Sequence, residues 1–378
     1  MTDATPLWPH GDVSDAELRE HGLDPATCLD FAVNVDPLGP HPAVAAAFRS
    51  AAVHRYPDPE YRTLRRALAD RDHVAPEAIA IGPGTSNLLW MLLRSFAAEV
   101  GPRRLRVVLD EPTFAEVRRA SEAAGAEIAV VPRRAADQFA LRLDAATAVA
   151  EATRADVVLL ARPHNPSGRN LTHADLVAFA QRHADRHVVV DEAFLRLSHE
   201  HASAVAPVPE NVWRLRSLTK ELGMPGLRVG YLAGHVPRVR RFRATQPPWE
   251  VGHPASVAAE VGVRDPGIVA AVRSRMLADT AALQRDLRAE GYDPLPTDTI
   301  FTLVEVGNAT LLRTTLMQRG LLVRDCASFG LPRHLRLCGR SASDRQHLLA
   351  ALRAWRGVNA FHGDSAPRHG RAPPGTAG

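Results

Sequence analysis

The sequence contains almost no lysine. Among its 46 lysine and arginine residues only Lys220 is a lysine, and all the others are arginines. Arginine can replace lysine on a charged surface, but a guanidinium does not form a Schiff base with an aldehyde. A single lysine in such a chain therefore predicts a role that requires an amine. The alternative, a lysine left by chance on a solvated face, fits less well with the nearby Ser217 and Arg228.

Cysteine is also scarce, and long apolar runs are missing. Cys28, Cys326 and Cys338 are widely spaced and odd in number, which indicates neither a disulfide framework nor a CxxC metal site. No apolar run is long enough to span a bilayer, and the N-terminus MTDATPLWPHGD lacks the basic-then-apolar signal pattern. We therefore expect a soluble cytoplasmic protein with no bound metal and no membrane partner.

The charge of the chain is modestly positive. The formal net charge is +4, and the densest basic cluster is RVRRFR (238–243), which is too short to be a nucleic-acid-binding arm. An anionic small-molecule ligand explains local positive charge at least as well. Nucleic-acid binding is not expected.

Short β-branched runs alternate with longer amphipathic stretches, a pattern typical of an α/β fold with a mainly parallel sheet and flanking helices. The LTHADLVAFAQRHAD stretch (171–185) is predicted to be one of the helices, with Thr172 as its N-cap. Seven strands are predicted within AIAIG (78–82), LRVVLDEPTF (105–114), AEIAVVP (126–132), VVLLARPHNPSG (157–168), HVVVDEAF (187–194), NVWRLRSL (211–218) and RVGYLAG (228–234).

The pattern changes after QPPWE (246–250), where long helical stretches precede a strand–helix–strand series that predicts a smaller α/β domain. Its strands are predicted in FTLVEV (301–306), LLVRDC (321–326) and HLRLCGR (334–340). The composition of the two ends indicates little structure of their own. We expect an N-terminal arm over 1–40, a large domain over 41–245, a small domain over 246–356 and a disordered tail over 357–378.

Four polar segments follow predicted strands, and the carboxyl ends of strands form the usual ligand site of an open α/β sheet. In GPGTS (82–86), glycines let successive N–H groups at a helix start bind a phosphate. NPSG (165–168) presents an asparagine amide, and Asp191 presents a carboxylate suited to a buried cation. The fourth segment is S-x-T-K-x7-R, in which the lysine is Lys220 and the arginine is Arg228.

Each segment alone has an ordinary explanation as a turn or a helix cap. Neither the dinucleotide pattern GxGxxG nor a Walker GK[ST] is present. Together, however, the segments supply an amine, a phosphate site, a partner for a protonated pyridine nitrogen and an amide for a ring hydroxyl. These are the parts of a site for pyridoxal 5′-phosphate (PLP).

The chain resembles the fold-type I PLP-dependent enzymes of aminotransferase class I/II over about residues 28 to 355. Eight segments occur in family order: FAVNVDPLGP (31–40), YPDPEYRTLRRALA (56–69), GPGTSN, EPTFAEV, RPHNPSG, VVVDEAF, SLTKELGMPGLRVGY and HLRLCGR. The resemblance is greatest to the branch with histidinol-phosphate aminotransferase and the cobalamin-pathway threonine-phosphate decarboxylase. It implies PLP as cofactor and a homodimer with shared active sites.

The resemblance also implies roles for the matching residues. Lys220 would form the Schiff base with the cofactor and move a proton at the substrate Cα. Asp191 would keep the ring nitrogen protonated, while Asn165 would hydrogen-bond the ring oxygen and Phe114 would stack on the ring. The residues implied to bind the cofactor phosphate are Gly84, Thr85, Ser86, Ser217, Thr219 and Arg228.

Three further residues are implied to act at the edge of the site. Tyr56 would reach the cofactor phosphate of the neighbouring subunit. Arg336 would pair with the substrate carboxylate, and Asn34 in the arm would line the substrate entrance.

The chain departs from the family pattern at four positions. Phe194 stands where a tyrosine often donates to the ring oxygen, and Val117 stands where an aromatic residue is common. Arg162 and His164 replace smaller or amide residues, and His164 is interpreted as a turn residue. We expect these departures to affect substrate recognition and reaction outcome more than cofactor binding.

Several functions remain open at this point. The leading one is an aminotransferase that moves an amino group between an amino acid or amine, including a phosphorylated one, and a 2-oxo acid. A threonine-phosphate decarboxylase-like enzyme is the second. A PLP-binding regulator would need a DNA-binding module, and only about thirty arm residues precede the first family segment. A nicotinamide-dependent oxidoreductase is disfavoured because GxGxxG is missing.

Overall fold

The structure is a computed structural model that describes residues 13–360, which form thirteen α-helices and twelve β-strands. The helices are α1 (Asp15–Glu20), α2 (Pro42–Ser50), α3 (Arg62–Asp72), α4 (Thr85–Val100), α5 (Ala115–Ala123), α6 (Leu143–Ala152), α7 (His173–Arg182), α8 (Leu218–Glu221), α9 (Val236–Arg243), α10 (His253–Arg264), α11 (Pro266–Ala289), α12 (Ala309–Met317) and α13 (Ala342–Ala360). The strands are β1 (Leu29–Asp30), β2 (Ile79–Gly82), β3 (Arg106–Glu111), β4 (Glu127–Pro132), β5 (Val157–Ala161), β6 (His187–Asp191), β7 (Val212–Ser217), β8 (Gly230–Ala233), β9 (Phe301–Glu305), β10 (Leu321–Leu322), β11 (Arg324–Cys326) and β12 (Leu331–Cys338).

Seven of the strands form the central sheet, in the order β2-β8-β7-β6-β5-β3-β4. The pairs β3–β4, β3–β5, β5–β6 and β6–β7 are parallel, whereas β8 runs antiparallel to both β7 and β2. The mainly parallel seven-stranded sheet predicted from the sequence is therefore confirmed. All five residues of β5 are buried, as expected for a parallel strand with helices on both faces.

Successive residues of β6 and β7 point to opposite faces of this sheet, and each face has its own core. On one face, Val189 and Leu215 pack in a cluster with the α4 residues Leu88, Leu92 and Phe96. On the other face, Val188, Val190 and Val212 pack in a cluster with α6 and α7 residues that include Ala146, Leu176 and Phe179. This alternation decides which polar residues share a face where the strands end.

The α7 helix shows how a local signal sets an element boundary. Thr172 is its N-cap, as predicted, and the Thr172 Oγ1 accepts a hydrogen bond from the Asp175 N–H at 3.1 Å. The N-cap satisfies one of the four N–H groups that a helix start leaves without an intrahelical partner.

The C-terminal part contains an antiparallel sheet in the order β11-β12-β9. The LLVRDC segment, predicted as one strand, forms two: β10 pairs in parallel with β1, and β11 pairs with β12. That prediction was wrong because the segment changes pairing partner at the buried Val323, which sequence pattern does not reveal. The helix α10 packs against α2 and α3, so it contacts the preceding part of the chain.

The predicted arm has more structure than its composition indicated. It contains α1 and β1, and Phe31 is fully buried in the C-terminal core with Leu312 and Leu335. At the other end, α13 continues to Ala360, which is four residues into the predicted tail. The rest of that tail and the first twelve residues lie outside the described residues. Within the described range, no helix has the length and apolar character needed to cross a membrane.

Candidate active site

A cavity of about 280 Å³ lies at the carboxyl ends of β6 and β7 and the amino end of α4. Its lining includes every predicted site residue except Tyr56: Asn34, Gly84, Thr85, Ser86, Phe114, Asn165, Asp191, Ser217, Thr219, Lys220, Arg228 and Arg336. Residues from the arm, the central sheet and the C-terminal sheet therefore meet at one place. The fold brings together what the sequence spreads over some 300 residues.

The amino end of α4 forms one corner of the cavity. Gly84 caps this 16-residue helix with φ 89°, a conformation that favours glycine. A Cβ at Gly84 would lie 2.8 Å from the Arg228 Nη2, so the missing side chain leaves room for the guanidinium. Arg228 itself has φ 50° and ψ 57°, in the left-handed region. Helix-end N–H groups beside a guanidinium form a site for a phosphate.

Two hydroxyl groups extend this corner. The Ser217 and Thr219 side chains are both buried, and their oxygens are 2.7 Å apart. Ser217 is the last residue of β7, and Gly230 of β8 pairs with it. A Cβ on Gly230 would lie 2.9 Å from the Arg216 carbonyl oxygen and 3.2 Å from the Thr85 N atom, so a glycine in β8 lets β7 and α4 approach closely. Hydroxyl groups are good donors to phosphate oxygens.

Asp191 lies at the end of β6, with its Oδ1 accepting a hydrogen bond from the Ala193 N–H at 2.9 Å. Burial raises the pKa of Asp191 from 3.8 to about 6. The neighbouring Glu192 and Asp110 add to this rise, whereas the Ala193 hydrogen bond and Lys220 oppose it. A carboxylate with this much desolvation gains strongly from a nearby cation, which suits a protonated ring nitrogen.

Arg336 links three segments around the cavity. Its Nη1 donates to the Asn165 Oδ1 at 2.6 Å, and its Nη2 donates to the Ala32 carbonyl at 2.9 Å. Because Asn165 accepts through its oxygen, the amide N–H₂ is the group left to face a ligand. Asn34 is 2% exposed, and its Oδ1 has no hydrogen-bond partner among the described residues. A buried acceptor of this kind in a cavity wall indicates a polar ligand.

Lys220 lies in the short helix α8, which follows directly from β7. Its Nζ is 5.9 Å from the centroid of the Phe194 ring, and Phe194 packs edge-on against Phe301 at 5.0 Å. Phe194 lines the cavity, so the departure noted at this position does affect the site. It presents a hydrocarbon edge where a tyrosine would present a hydroxyl donor.

The other departures from the family pattern lie outside the cavity lining, and their effect on recognition stays a prediction. Val117 belongs to the apolar core under α4, and the fully buried Arg162 is 3.6 Å from the Glu192 carboxylate. His164 contacts the Ser167 Oγ at 2.7 Å and the Pro112 carbonyl at 2.6 Å. Burial, with Arg133 nearby, holds the pKa of His164 well below 6.5. These contacts support the interpretation of His164 as a turn residue.

The cavity also contains residues that sequence reasoning missed, above all Arg324 and Phe329. Arg324 of β11 is the register partner of Arg336 in β12, and it donates to the Ser328 Oγ at 2.6 Å. Its guanidinium lies 5.2 Å from the Phe329 ring centroid. An arginine in the apolar segment LLVRDC was the available signal, but its pairing with Arg336 depends on the sheet register.

Tyr56 stands apart from the cavity. It is 80% exposed, and its ring centroid is 4.9 Å from that of Trp249. It therefore makes no contribution to the cavity lining.

The residues present fit PLP. The Gly84 corner with Arg228 and the two hydroxyls suits a phosphate, Asp191 suits a protonated pyridine nitrogen, and Lys220 supplies the amine. The missing Cβ at Gly84 lets the Arg228 guanidinium lie against the start of α4, so that both could contact one phosphate. When bound, PLP withdraws electrons from the substrate carbon attached to the amino group.

Comparison with known proteins identifies the class that this fold and site define. The family model for aminotransferase class I and II matches residues 26–354, and the chain belongs to that family. It is a PLP-dependent aminotransferase with the fold-type I architecture.

Individual relatives support the family assignment. The histidinol-phosphate aminotransferase of Symbiobacterium thermophilum is 33% identical over 355 residues, which covers 92% of this chain and 95% of the relative. The threonine-phosphate decarboxylase of Salmonella typhimurium is 32% identical over 346 residues, covering 88% and 92%. The crystal structure of histidinol-phosphate aminotransferase from Sinorhizobium meliloti in complex with PLP superposes with a TM-score of 0.81 at 26% identity, covering 95% and 99%.

Proposed function

We propose that this aminotransferase acts on a phosphorylated amino compound, with histidinol phosphate as the first candidate and a 2-oxo acid as amino acceptor. The observation that carries the proposal is the pair Arg324 and Arg336, side by side on β11 and β12 in the cavity that contains Lys220. Both side chains are at least nine-tenths buried, so anions that reach them are poorly screened. The names of two relatives, one an aminotransferase and one a decarboxylase, contain a phosphorylated amino compound.

Two arginines explain how one cavity accepts two different anions in turn. The donor substrate would bring a phosphate, and the acceptor would bring a carboxylate. A guanidinium binds either group through paired N–H donors, so the same residues serve both half-reactions. The aromatic ring of Phe329 beside Arg324 adds an apolar wall.

The remaining residues would bind, orient and transfer protons. Lys220 would take the proton from the substrate Cα as a base and deliver it to the C4′ carbon of the cofactor. Asp191 would hold a proton at the ring nitrogen, and Asn165 would orient the ring oxygen through its amide N–H₂. Phe114 would cover the ring face and exclude water. Lys220 would also hold the cofactor through its amine between turnovers.

The test is an assay of the purified protein with histidinol phosphate and 2-oxoglutarate. Glutamate formation supports the proposal. Unphosphorylated histidinol is the matched control and should react at least about tenfold less efficiently, because a charged hydrogen bond is worth about 1.5–3 kcal/mol. Equal kcat/KM values for the two amines would contradict a phosphate-binding role for Arg324 and Arg336.

A second candidate is decarboxylation of threonine phosphate. It is favoured by the relative from Salmonella typhimurium, and a substrate that carries both a phosphate and a carboxylate also fits two arginines. The same protein is incubated with threonine phosphate and 2-oxoglutarate while CO₂ and glutamate are measured. Release of CO₂ without amino transfer would replace the first candidate by the second.

We also propose a homodimer in which Tyr56 reaches the partner's active site. Large exposed hydrophobic side chains are grouped between residues 38 and 56, where Trp249 packs against Tyr56, and such groupings indicate a protein interface. Five of the eight large hydrophobic residues that are exposed in the described chain are Leu38, Phe48, Val53, Tyr56 and Trp249.

Subunit mixing tests the shared site. The Tyr56→Phe and Lys220→Arg variants are each purified, then mixed under conditions that exchange subunits. If Tyr56 acts across the interface, each mixed dimer regains one complete site and activity rises above that of either parent. No gain after verified exchange would show that Tyr56 does not act in the partner's site.

A further inference from the structure

Behind the cavity, a second cluster of charged residues occupies the same strand ends. Asp191 and Ser217 face the cavity, and their immediate neighbours Glu192 and Arg216 point to the opposite face because strand residues alternate. Arg216 is also the register partner of Tyr231 in β8. The chain neighbours of the cavity residues Asp191 and Ser217, and of Gly230 that pairs with Ser217, therefore share one face.

These neighbours are joined by hydrogen-bonded ion pairs. The Glu192 Oε2 accepts from the Arg214 Nε at 2.8 Å and from the Arg216 Nε at 2.9 Å. The Arg216 Nη1 donates to the Asp72 Oδ2, and the Tyr231 hydroxyl donates to the same oxygen at 2.6 Å. Arg216 thus bridges a carboxylate next to Asp191 and a carboxylate at the end of α3.

From Asp72 the contacts continue to the residue beside Lys220. The Arg71 Nε donates to the Asp72 Oδ1 at 3.2 Å, and the Arg71 Nη1 donates to the Glu221 Oε2 at 2.7 Å. The Tyr231 hydroxyl accepts from the Arg71 Nη2 at 2.9 Å. An unbroken chain of contacts therefore runs from the neighbour of Asp191 to the neighbour of Lys220.

The cluster is almost completely excluded from water. The side chains of Asp72, Glu192 and Arg216 are 1%, 0% and 2% exposed. Burial alone would raise the pKa of Glu192, but Arg214, Arg216 and Arg162 outweigh it and lower that pKa to about 2. Buried charges that remain ionised hold their partners to a fixed geometry, since any separation leaves an uncompensated charge in a low dielectric.

We propose that the buried network of Asp72, Arg216, Glu192, Arg71, Glu221 and Tyr231 positions Asp191 and Lys220 relative to each other. Its members are positioning residues: they act through the backbone of their neighbours, and none of them lines the cavity. The inference rests on the proposed roles of Asp191 and Lys220 in the aminotransferase site.

The test compares network variants with a structural control of similar stability. Asp72→Asn and Glu192→Gln remove one charge each at constant shape, and Tyr231→Phe removes only a hydroxyl. The control is Asn211→Ala: Asn211 precedes β7 at the end opposite Ser217, and its Nδ2 donates to the Ala180 and His183 carbonyls at 3.0 and 2.9 Å. The melting temperature, the Kd for PLP and the fraction of Lys220 trapped by borohydride are measured well below each melting temperature.

A positioning role predicts that the network variants raise the Kd for PLP about tenfold or more, the effect of losing outer-shell partners in metal sites. The trapped fraction of Lys220 at saturating PLP falls as well. The Asn211→Ala protein should have a lower melting temperature but the wild-type Kd for PLP and the wild-type trapped fraction of Lys220.

The proposal would be overturned if network variants folded, had the same melting temperature as the control, and also had the same Kd for PLP and the same trapped fraction of Lys220. Should Asp72→Asn fail to fold, Tyr231→Phe decides the result by the same criteria. Wild-type protein that binds no PLP would instead contradict the proposed active site, so the two failures are distinguishable.

Discussion

Each of the two faces at the strand ends contains a buried carboxyl group, and the pKa values of the two groups are shifted in opposite directions. On the cavity face, Asp191 is held by one backbone hydrogen bond, and its pKa is raised to about 6 by burial. On the network face, Glu192 next to it contacts three arginines, which lower its pKa to about 2 despite burial. A buried charge whose partners are supplied by the protein is already compensated, whereas one that lacks them is available to a ligand. Burial alone therefore does not separate a structural carboxylate from a functional one.

The largest effect on activity is expected at Lys220, on the cavity face. Lys220→Arg keeps the positive charge but removes the amine, so transamination should fall by at least about 10⁴-fold. Transamination activity is measured together with the amount of PLP that borohydride attaches covalently to the protein.

A double variant provides the control for that experiment. Lys220→Arg combined with Arg241→Lys restores one lysine to the chain, at an exposed position on α9. Labelling or activity recovered in this double variant would mean that any lysine suffices, contrary to the site assignment.

The second way to sharpen the comparison uses pH. The folded-state pKa of Asp191 is raised from 3.8 to about 6, so its contribution to stability is complete below about pH 4 and is lost as pH rises through about 6. Relative to Asp191→Asn, the cofactor-free wild type should lose about 3 kcal/mol of unfolding free energy between about pH 4 and pH 7. Denaturant unfolding across that range measures the difference.

The neighbouring carboxylate should show the opposite sign. Because the pKa of Glu192 is lowered from 4.5 to about 2, its contribution is present above about pH 4.5 and is lost as pH falls through about 2. Denaturant unfolding of Glu192→Gln should therefore show a wild-type advantage at neutral pH that shrinks on acidification. The exposed Asp185, changed to asparagine, gives the baseline. If the unfolding free energies of Asp191→Asn and Glu192→Gln, each relative to wild type, depended on pH in the same way, the proposed difference between the two faces would be wrong.

A third, smaller effect is expected at the substrate end of the cavity. Arg324→Gln removes charged donors, which are worth about 1.5–3 kcal/mol, so the KM for the phosphorylated substrate should rise about 10- to 100-fold. Steady-state kinetics with phosphorylated and unphosphorylated substrates measures the change. The exposed Arg333→Gln in the same sheet should leave KM unchanged, and a similar rise there would indicate a non-specific charge effect.

The smallest effect is expected at a position that belongs to neither face. Thr172→Ala removes the N-cap of α7 and should cost about 1 kcal/mol of unfolding free energy. The Kd for PLP should not change, and thermal unfolding with PLP titration measures both. A changed Kd would mean that cofactor affinity follows global stability, which would weaken the positioning test.

The sequence predicted the central sheet well because each strand there is a separate apolar run bounded by turns. Segments that follow strands predicted the residues around Gly84, Asn165, Asp191 and Lys220, since strand ends of a parallel sheet converge whatever the details of packing. The other cavity residues were implied by the family resemblance. The sequence pattern failed at LLVRDC, where two pairing partners divide one apolar run, and it missed Arg324 for the same reason. Which strand a segment pairs with, and in which register, depends on residues far away in the sequence.

By itself, the sequence determined the chemistry: one amine at Lys220, a carboxylate after an apolar strand, and a glycine turn before a long helix. These are local features, and local sterics and strand periodicity set them. Only the tertiary structure decided which charges are satisfied. Asp72 and Arg216 are 144 residues apart in the chain and become partners only when α3 packs behind β7. The physical reason is that an ion pair depends on distance and burial in space, which no short segment specifies.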